Sequence, residues 1–289
     1  RSGEYMFVKA KAVLLATDTL DTPIAQAFIE DDAVQIIDFT GSPRYGGHLE
    51  RTVTGKLLFT ETAGLNSVVL ESCADLTATA TAIARATCLF SAQMCTSPQN
   101  LYIPAGGIAT DAGHKSFDEV VAAIVAAIDH IAGDPRSAAG IMGAVQAEGS
   151  VTLIHRDYPA ARTLTPMVVT LPAGESALYA EEHFGPVLFC IAAQSGAAAV
   201  AEATALARKH GAISSYLYTL DEDFIDAALP HYAAAGMNLS INLHGAMWAN
   251  FAAAYSDYHV TGLNPAGNAC LADLAFVTSR FRIVQHRRP

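Results

Sequence analysis

The chain has 289 residues, of which 52% are apolar and 16% charged, with a formal net charge of −11. That length allows one large domain or two modest ones, and the apolar content supplies a sizeable core. The acidic balance excludes nucleic acid as the main partner, because phosphate binding needs clustered Lys and Arg, and only the short tail Arg280 to Arg288 is basic.

No uninterrupted apolar run reaches the length of a membrane span, and residues 1–20 carry charges where a secretory leader has an apolar core. The five cysteines, Cys73, Cys88, Cys95, Cys190 and Cys270, are odd in number and show no CxxC spacing. This suits free thiols in a reducing, cytoplasmic setting, and offers no metal-ligand pattern.

In chain order, residues 34–39 read as a buried strand, and 57–59 and 67–70 as two more. Asp75 to about Ala92 has helical apolar spacing. Ser116-Phe-Asp-Glu119 is a capping box, followed by Val120, Ile124, Ile128 and Ile131 on one helical face and by Gly133 as a stop signal. Strand-like runs recur at 151–154, 167–171, 187–192, 213–219 and 238–243, with helical segments near 195–210 and 222–235. The alternation implies an α/β fold with a largely parallel sheet.

Four places could carry chemistry, and each has a bland reading. Phe39-Thr40-Gly41-Ser42-Pro43 follows a strand. Ser42 suits a helix N-cap and Pro43 the first turn, a terminus that favours phosphate but is usually only structural. Glu61, in Glu61-Thr-Ala-Gly64-Leu-Asn66, becomes a general base if burial raises its pKa; on its own pattern it reads as a solvent-facing Glu at a strand end. Cys95 lies on a turn between a helix and a strand, where backbone N–H groups can stabilise a thiolate or an oxyanion, although a lone Cys on a turn is more often structural. Glu181-Glu182-His183-Phe184-Gly185-Pro186-Val187 reads alone as a surface loop.

Taken in order, Phe-Thr-Gly-Ser, Glu-x-x-Gly, Gln-x-Cys and Glu-x-Phe-Gly-Pro-Val resemble the aldehyde dehydrogenase superfamily. The interval of 34 positions from Glu61 to Cys95 resembles its spacing between base and nucleophile. Thr165-Pro-Met-Val-Val169 and Gly236-Met-Asn-Leu-Ser-Ile-Asn242 look like two of its strands. Departures narrow the subgroup: Ala92-Gln-Met-Cys95 in place of Gly-Gln-x-Cys, Glu61-Thr-Ala-Gly-Leu65 in place of Glu-Leu-Gly-Gly-Lys, and the run Ser256 to Asn268. With Cys95-Thr-Ser-Pro-Gln-Asn100 they resemble the PaaN proteins of phenylacetic acid degradation.

The resemblance implies an aldehyde dehydrogenase-like catalytic domain, a parallel sheet flanked by helices, with a remnant of a Rossmann-type cofactor domain. The expected boundaries are 1–65 for the remnant, 66–255 for the catalytic domain, and 256–289 for a tail and an edge strand that pairs subunits into a homo-oligomer. It implies NAD or NADP as cofactor, Cys95 as nucleophile and Glu61 as base. Glu182 and Phe184 would lie at the nicotinamide ribose, and Thr40, Gly41 and Ser42 beside the pyrophosphate. The substrate class implied is a ring-opened, CoA-linked semialdehyde. The upstream oxyanion Asn and ribose-gripping Lys of the superfamily have no counterpart before residue 39, so this stretch on its own is expected to turn over little. A CoA-acylating dehydrogenase and a catalytically silent scaffold are the other readings; Glu61 argues against the first, since hydrolysis needs a base and acylation does not.

Overall fold

The computed structural model describes residues 23–62, 64–145, 161–162 and 166–244, together with Ala16, Thr19, Asp21 and Ser150. The strand-like run at 151–154 and the tail at 256–289 lie outside the described residues, as does Cys270.

The chain enters through a short helix, α1 (Ala25–Glu30), and a two-stranded parallel sheet. Its strands are β1 (Ile36–Thr40) and β2 (Leu57–Glu61), joined by helix α2 (Pro43–Thr52). Ser42 caps α2, its Oγ accepting from the Tyr45 amide at 3.3 Å, and Pro43 occupies the first turn as its fixed φ favours. In the register of this sheet Thr40 stands beside Glu61, and the Gly41 amide donates to the Glu61 carbonyl at 3.1 Å.

A seven-stranded sheet forms the larger body. Its order is β11-β10-β3-β4-β9-β8-β7, with β3 (Asn66–Leu70), β4 (Pro98–Pro104), β8 (Met167–Pro172), β9 (Val187–Ala193), β10 (Ser214–Tyr218) and β11 (Asn238–Ile241) parallel. Only the edge strand β7 (Ala161–Arg162) runs antiparallel. Central parallel strands are covered on both faces, so their sequences read as continuous apolar runs. Alternate residues go to opposite cores. Val69, Tyr102, Phe189 and Leu217 face helices α7 (Gly196–His210) and α8 (Glu222–Ala234). Val68, Leu101, Leu188 and Tyr216 face α3 (Leu76–Cys88) and α4 (Phe117–Ala132).

The helix starts follow the sequence signals. Ser116 and Glu119 complete the capping box of α4, Asp75 caps α3, and Asp221 caps α8. Arg208, Lys209 and His210 close α7, where cations oppose the negative end of the helix dipole.

Several elements differ from the sequence reading, α1 and β7 among them. The helix begun at Asp75 stops at Cys88 rather than Ala92, because the next residues turn left-handed (Phe90 φ 48°, Ser91 φ 56°, Ala92 φ 51°). A hairpin, β5 (Ile108–Thr110) with β6 (Gly113–Lys115), and a helix, α5 (Pro135–Ile141), were not expected; both are too short for a periodic signal. Between α5 and α7 lies one more short helix, α6 (Ser176–Tyr179). Among the described residues, no helix is long and apolar enough to cross a membrane.

Candidate active site

Three consecutive residues with positive φ and no glycine lead into Cys95, and each costs about 1–2 kcal/mol against the right-handed alternative. Local hydrogen bonds hold this conformation. Ser91 Oγ donates to the Gly143 carbonyl at 2.6 Å and accepts from the Gly143 amide at 3.1 Å. Gln93 Nε2 donates to the Ala144 carbonyl at 2.8 Å and to the Phe90 carbonyl at 3.1 Å. The Ser97 amide closes the turn on the Met94 carbonyl at 3.0 Å. Cys95 is half-buried and is a thiol, as are the buried Cys73, Cys88 and Cys190; none of the four forms a disulfide.

The Cys95 turn is anchored from the sheet below it. Asn66, the first residue of β3, is fully buried. Its Nδ2 donates to the Cys95 carbonyl at 2.7 Å and to the Ser97 carbonyl at 3.1 Å. Its Oδ1 accepts from the amides of Ile213 and Ser214 at 3.0 and 2.9 Å. Ser214 Oγ donates to the Thr96 carbonyl at 3.0 Å.

Glu61 ends β2 and is buried, with 5% of its surface exposed. The solvent-facing position that its own pattern suggests is therefore overturned. Helix α2 packs so close to this strand end that a Cβ on Gly46 would lie 2.2 Å from Thr62 Cγ2. Thr40, Gly41 and Ser42 thus gather at the carboxyl end of the small sheet, beside Glu61.

Glu182 comes in from the loop before β9. A Cβ on Gly64 would lie 2.2 Å from Glu182 Oε1 and 3.0 Å from the Cys95 carbonyl, so the bare Gly64 backbone is the surface on which both rest. Burial pushes the Glu182 carboxyl up to about 7, against a hydrogen bond from the Gly64 amide that works the other way. Glu182, Phe184, Gly64, Ala92 and Met94 line one small cleft, with Phe184 40% exposed at its edge.

Two buried amides from β4 set this loop. Gln99 Oε1 accepts from the His183 amide at 2.6 Å, and its Nε2 donates to the Glu181 carbonyl at 2.9 Å, so one side chain grips the backbone on both sides of Glu182. Asn100 Nδ2 donates to the Tyr179 carbonyl at 2.8 Å. His183 Nε2 lies 2.8 Å from the Leu178 carbonyl, and its ring packs on Phe189.

The site therefore lies where the amino ends of β3, β4, β9 and β10 meet the carboxyl end of β1 and β2. Cys95, Gly64 and Glu182 meet there, with Glu61 and the Thr40–Ser42 turn on the strand ends that lead into Gly64. Asn66, Gln99 and Ser214 were missed as site residues. The available signal was amide residues in buried strand positions, where Asn is ordinarily depleted.

A cysteine on a strained turn and a half-buried carboxylate thus share the Gly64 backbone where the small sheet meets the large one, the residue types that covalent catalysis uses. The sequence profile of the Aldehyde dehydrogenase family matches residues 11–246, and the chain belongs to that family. The crystal structure of an NAD-dependent aldehyde dehydrogenase from Burkholderia multivorans superposes with a TM-score of 0.81 at 38% identity, covering 94% of this chain and 52% of that one. N-succinylglutamate 5-semialdehyde dehydrogenase of Pseudomonas fluorescens (strain Pf0-1) is 32% identical over 181 residues, 57% of this chain and 37% of the relative. A Mycobacterium tuberculosis aldehyde dehydrogenase complexed with NAD+ shares the fold at 19% identity, with a TM-score of 0.57 over 76% of this chain and 47% of that one. The chain thus spans about half the length of the solved relatives, and less of the curated one.

Proposed function

We propose that these residues are the catalytic and cofactor-facing part of an NAD- or NADP-dependent aldehyde dehydrogenase with Cys95 as nucleophile. The observation that carries the reading is the meeting of the Cys95 turn and the Glu182 carboxyl on the Gly64 backbone. Three separated segments of sequence meet here: the Gly64 backbone, the Cys95 backbone carbonyl and the Glu182 carboxyl group.

The residues present fit the cofactor. Helix α2 starts at Ser42 and Pro43 with Arg44 and no acidic side chain in its first turn, an N-terminus suited to a pyrophosphate. Thr40, Gly41 and Ser42 would hold the pyrophosphate, and Glu182 with Phe184 the nicotinamide ribose. When bound, the nicotinamide accepts the hydride of the oxidation.

Cys95 Sγ, as thiolate, adds to the aldehyde carbon and forms a thiohemiacetal. Its backbone N–H is assigned as one donor to the developing oxyanion. Loss of hydride leaves a Cys95 thioester. Glu61 takes a proton from water, the resulting hydroxide adds to the thioester, and the acid leaves as the thiolate is restored. The covalent stage divides one hard oxidation into two easier steps. Burial of Glu61 supports its assignment as base.

The substrate proposed is a CoA-linked, ring-opened semialdehyde of phenylacetate catabolism, a reading supported by the run Cys95-Thr-Ser-Pro-Gln-Asn100. The domain boundary proposed at residue 65 is supported by the sheet change between Glu61 and Asn66.

The test is turnover of semialdehydes with NAD+ or NADP+, followed by absorbance of the reduced cofactor, together with intact-mass detection of an acyl adduct. Cys95→Ala should abolish both. Turnover that survives this substitution overturns the assignment of the nucleophile. Release of acyl-CoA in place of free acid overturns the role given to Glu61.

A further inference from the structure

We propose that Asn66, assisted by Ser214, is a positioning residue that holds the Cys95 turn and so sets how the thiolate meets an electrophile. This rests on the reading of Cys95 as nucleophile.

The β3–β4 register is irregular between Asn66 and Ser67, where Asn66 stands opposite Pro98 and Ser67 opposite Asn100. Pro98 has no N–H to give to the ladder, so the regular pairing cannot extend toward Cys95. The Asn66 side chain takes over at this point.

The orientation of the Asn66 amide is unambiguous. Its Oδ1 accepts from two backbone amides, Ile213 and Ser214, which only an oxygen can do. Nδ2 must therefore face the carbonyls of Cys95 and Ser97, and both of its hydrogens are used. Ser214 Oγ takes the carbonyl between them, that of Thr96. Three consecutive carbonyls are thus held by side chains from two neighbouring strands.

A trans peptide carries its N–H opposite its C=O. The Cys95 carbonyl, held by Asn66, fixes the peptide plane on one side of the Cys95 Cα, and the Met94 carbonyl, accepting from the Ser97 amide, fixes the plane on the other, so the two together set the direction of the Cys95 Cα–Cβ bond. Asn66 holds the peptide that follows the nucleophile, and acts through it. A fully satisfied buried amide is also costly to disturb, because any change leaves groups unpaired on both sides.

The test uses the full 289-residue chain and iodoacetamide, with residue-resolved mass spectrometry and a pH–rate profile for Cys95. Asn66→Asp keeps the acceptor toward Ile213 and Ser214 but sets an oxygen against the carbonyls of Cys95 and Ser97. Ser214→Ala removes the contact to Thr96, together with the side-chain interaction with Tyr216, and adds no charge. The plateau of the profile, where the thiol is fully ionised, reads presentation apart from acidity.

Asn66→Asp should lower that plateau about tenfold, the factor carried by one net hydrogen bond. Ser214→Ala should lower it about threefold and Ser214→Thr should restore it, a pattern expected of a fraction of one such bond. The buried Cys73, Cys88 and Cys190 should stay protected throughout. A plateau unchanged in Asn66→Asp overturns the proposal. So does exposure of the three buried cysteines together with Cys95, which would make Asn66 a support of the whole fold. If Cys95 of the unaltered chain reacts no faster than glutathione, the nucleophile reading fails first and takes the proposal with it.

Discussion

Replacing Glu182 by Gln removes a charge from a place that resists it while keeping an oxygen for the Gly64 amide. The carboxyl stands at about 7 in the folded chain against an ordinary value of 4.5. A raised carboxyl favours the folded state at low pH and loses that advantage as pH rises from the unfolded to the folded value. Two and a half units at about 1.36 kcal/mol each set a ceiling of about 3 kcal/mol on this penalty. At about pH 5.5 roughly 1 kcal/mol of it has already appeared, so the advantage of Gln should grow by about 2 kcal/mol between about pH 5.5 and 8.5. Urea denaturation of both proteins at several pH values measures this directly. A stability difference that is flat with pH would refute the argument, as would one that shrinks toward alkaline pH.

Other expectations follow from the same geometry. Ala92→Gly relieves a left-handed backbone at a cost of one buried methyl, and should stabilise the chain by about 0.5 kcal/mol; loss of stability would mean that the φ of 51° is not strained. Gln99→Leu leaves the Glu181 carbonyl and the His183 amide without their partner, and should cost about 2 kcal/mol in chemical denaturation and increase protease nicking around Glu182. Ile83→Ala opens a void between α3 and the sheet, and should cost about 3 kcal/mol; a cost below about 1 kcal/mol would show that the core collapses around it.

The fold was readable where local signals agree. The capping box at Ser116, the cap at Ser42 and the apolar strand cores correspond to helix and strand ends in the structure. The site was readable only through the order and spacing of motifs. Nothing local to Cys95 or Glu61 separates a reactive group from a structural one. Burial of Glu61 depends on how α2 packs against β2, which single-strand periodicity does not encode. The left-handed residues Phe90 to Ala92 were invisible because none is glycine, and their conformation is imposed by Ser91 and Gln93 bonding to residues 143 and 144. Sheet order, which sets β10 beside β3 and thus Ser214 beside the Cys95 turn, is a long-range property that no local pattern carries.

The tie from Asn66 to Ile213 and Ser214 closes loops of 147 and 148 residues. Contacts of such separation form late, because the chain entropy of a long loop must be overcome before they can contribute. The Cys95 turn therefore takes its final shape only after β10 has joined the sheet. A partly folded chain would display an ordinary cysteine, and the reactive one would arise with completion of the sheet. On the proposed role of Cys95, thiol reactivity at this one position would report the joining of β10 to the sheet.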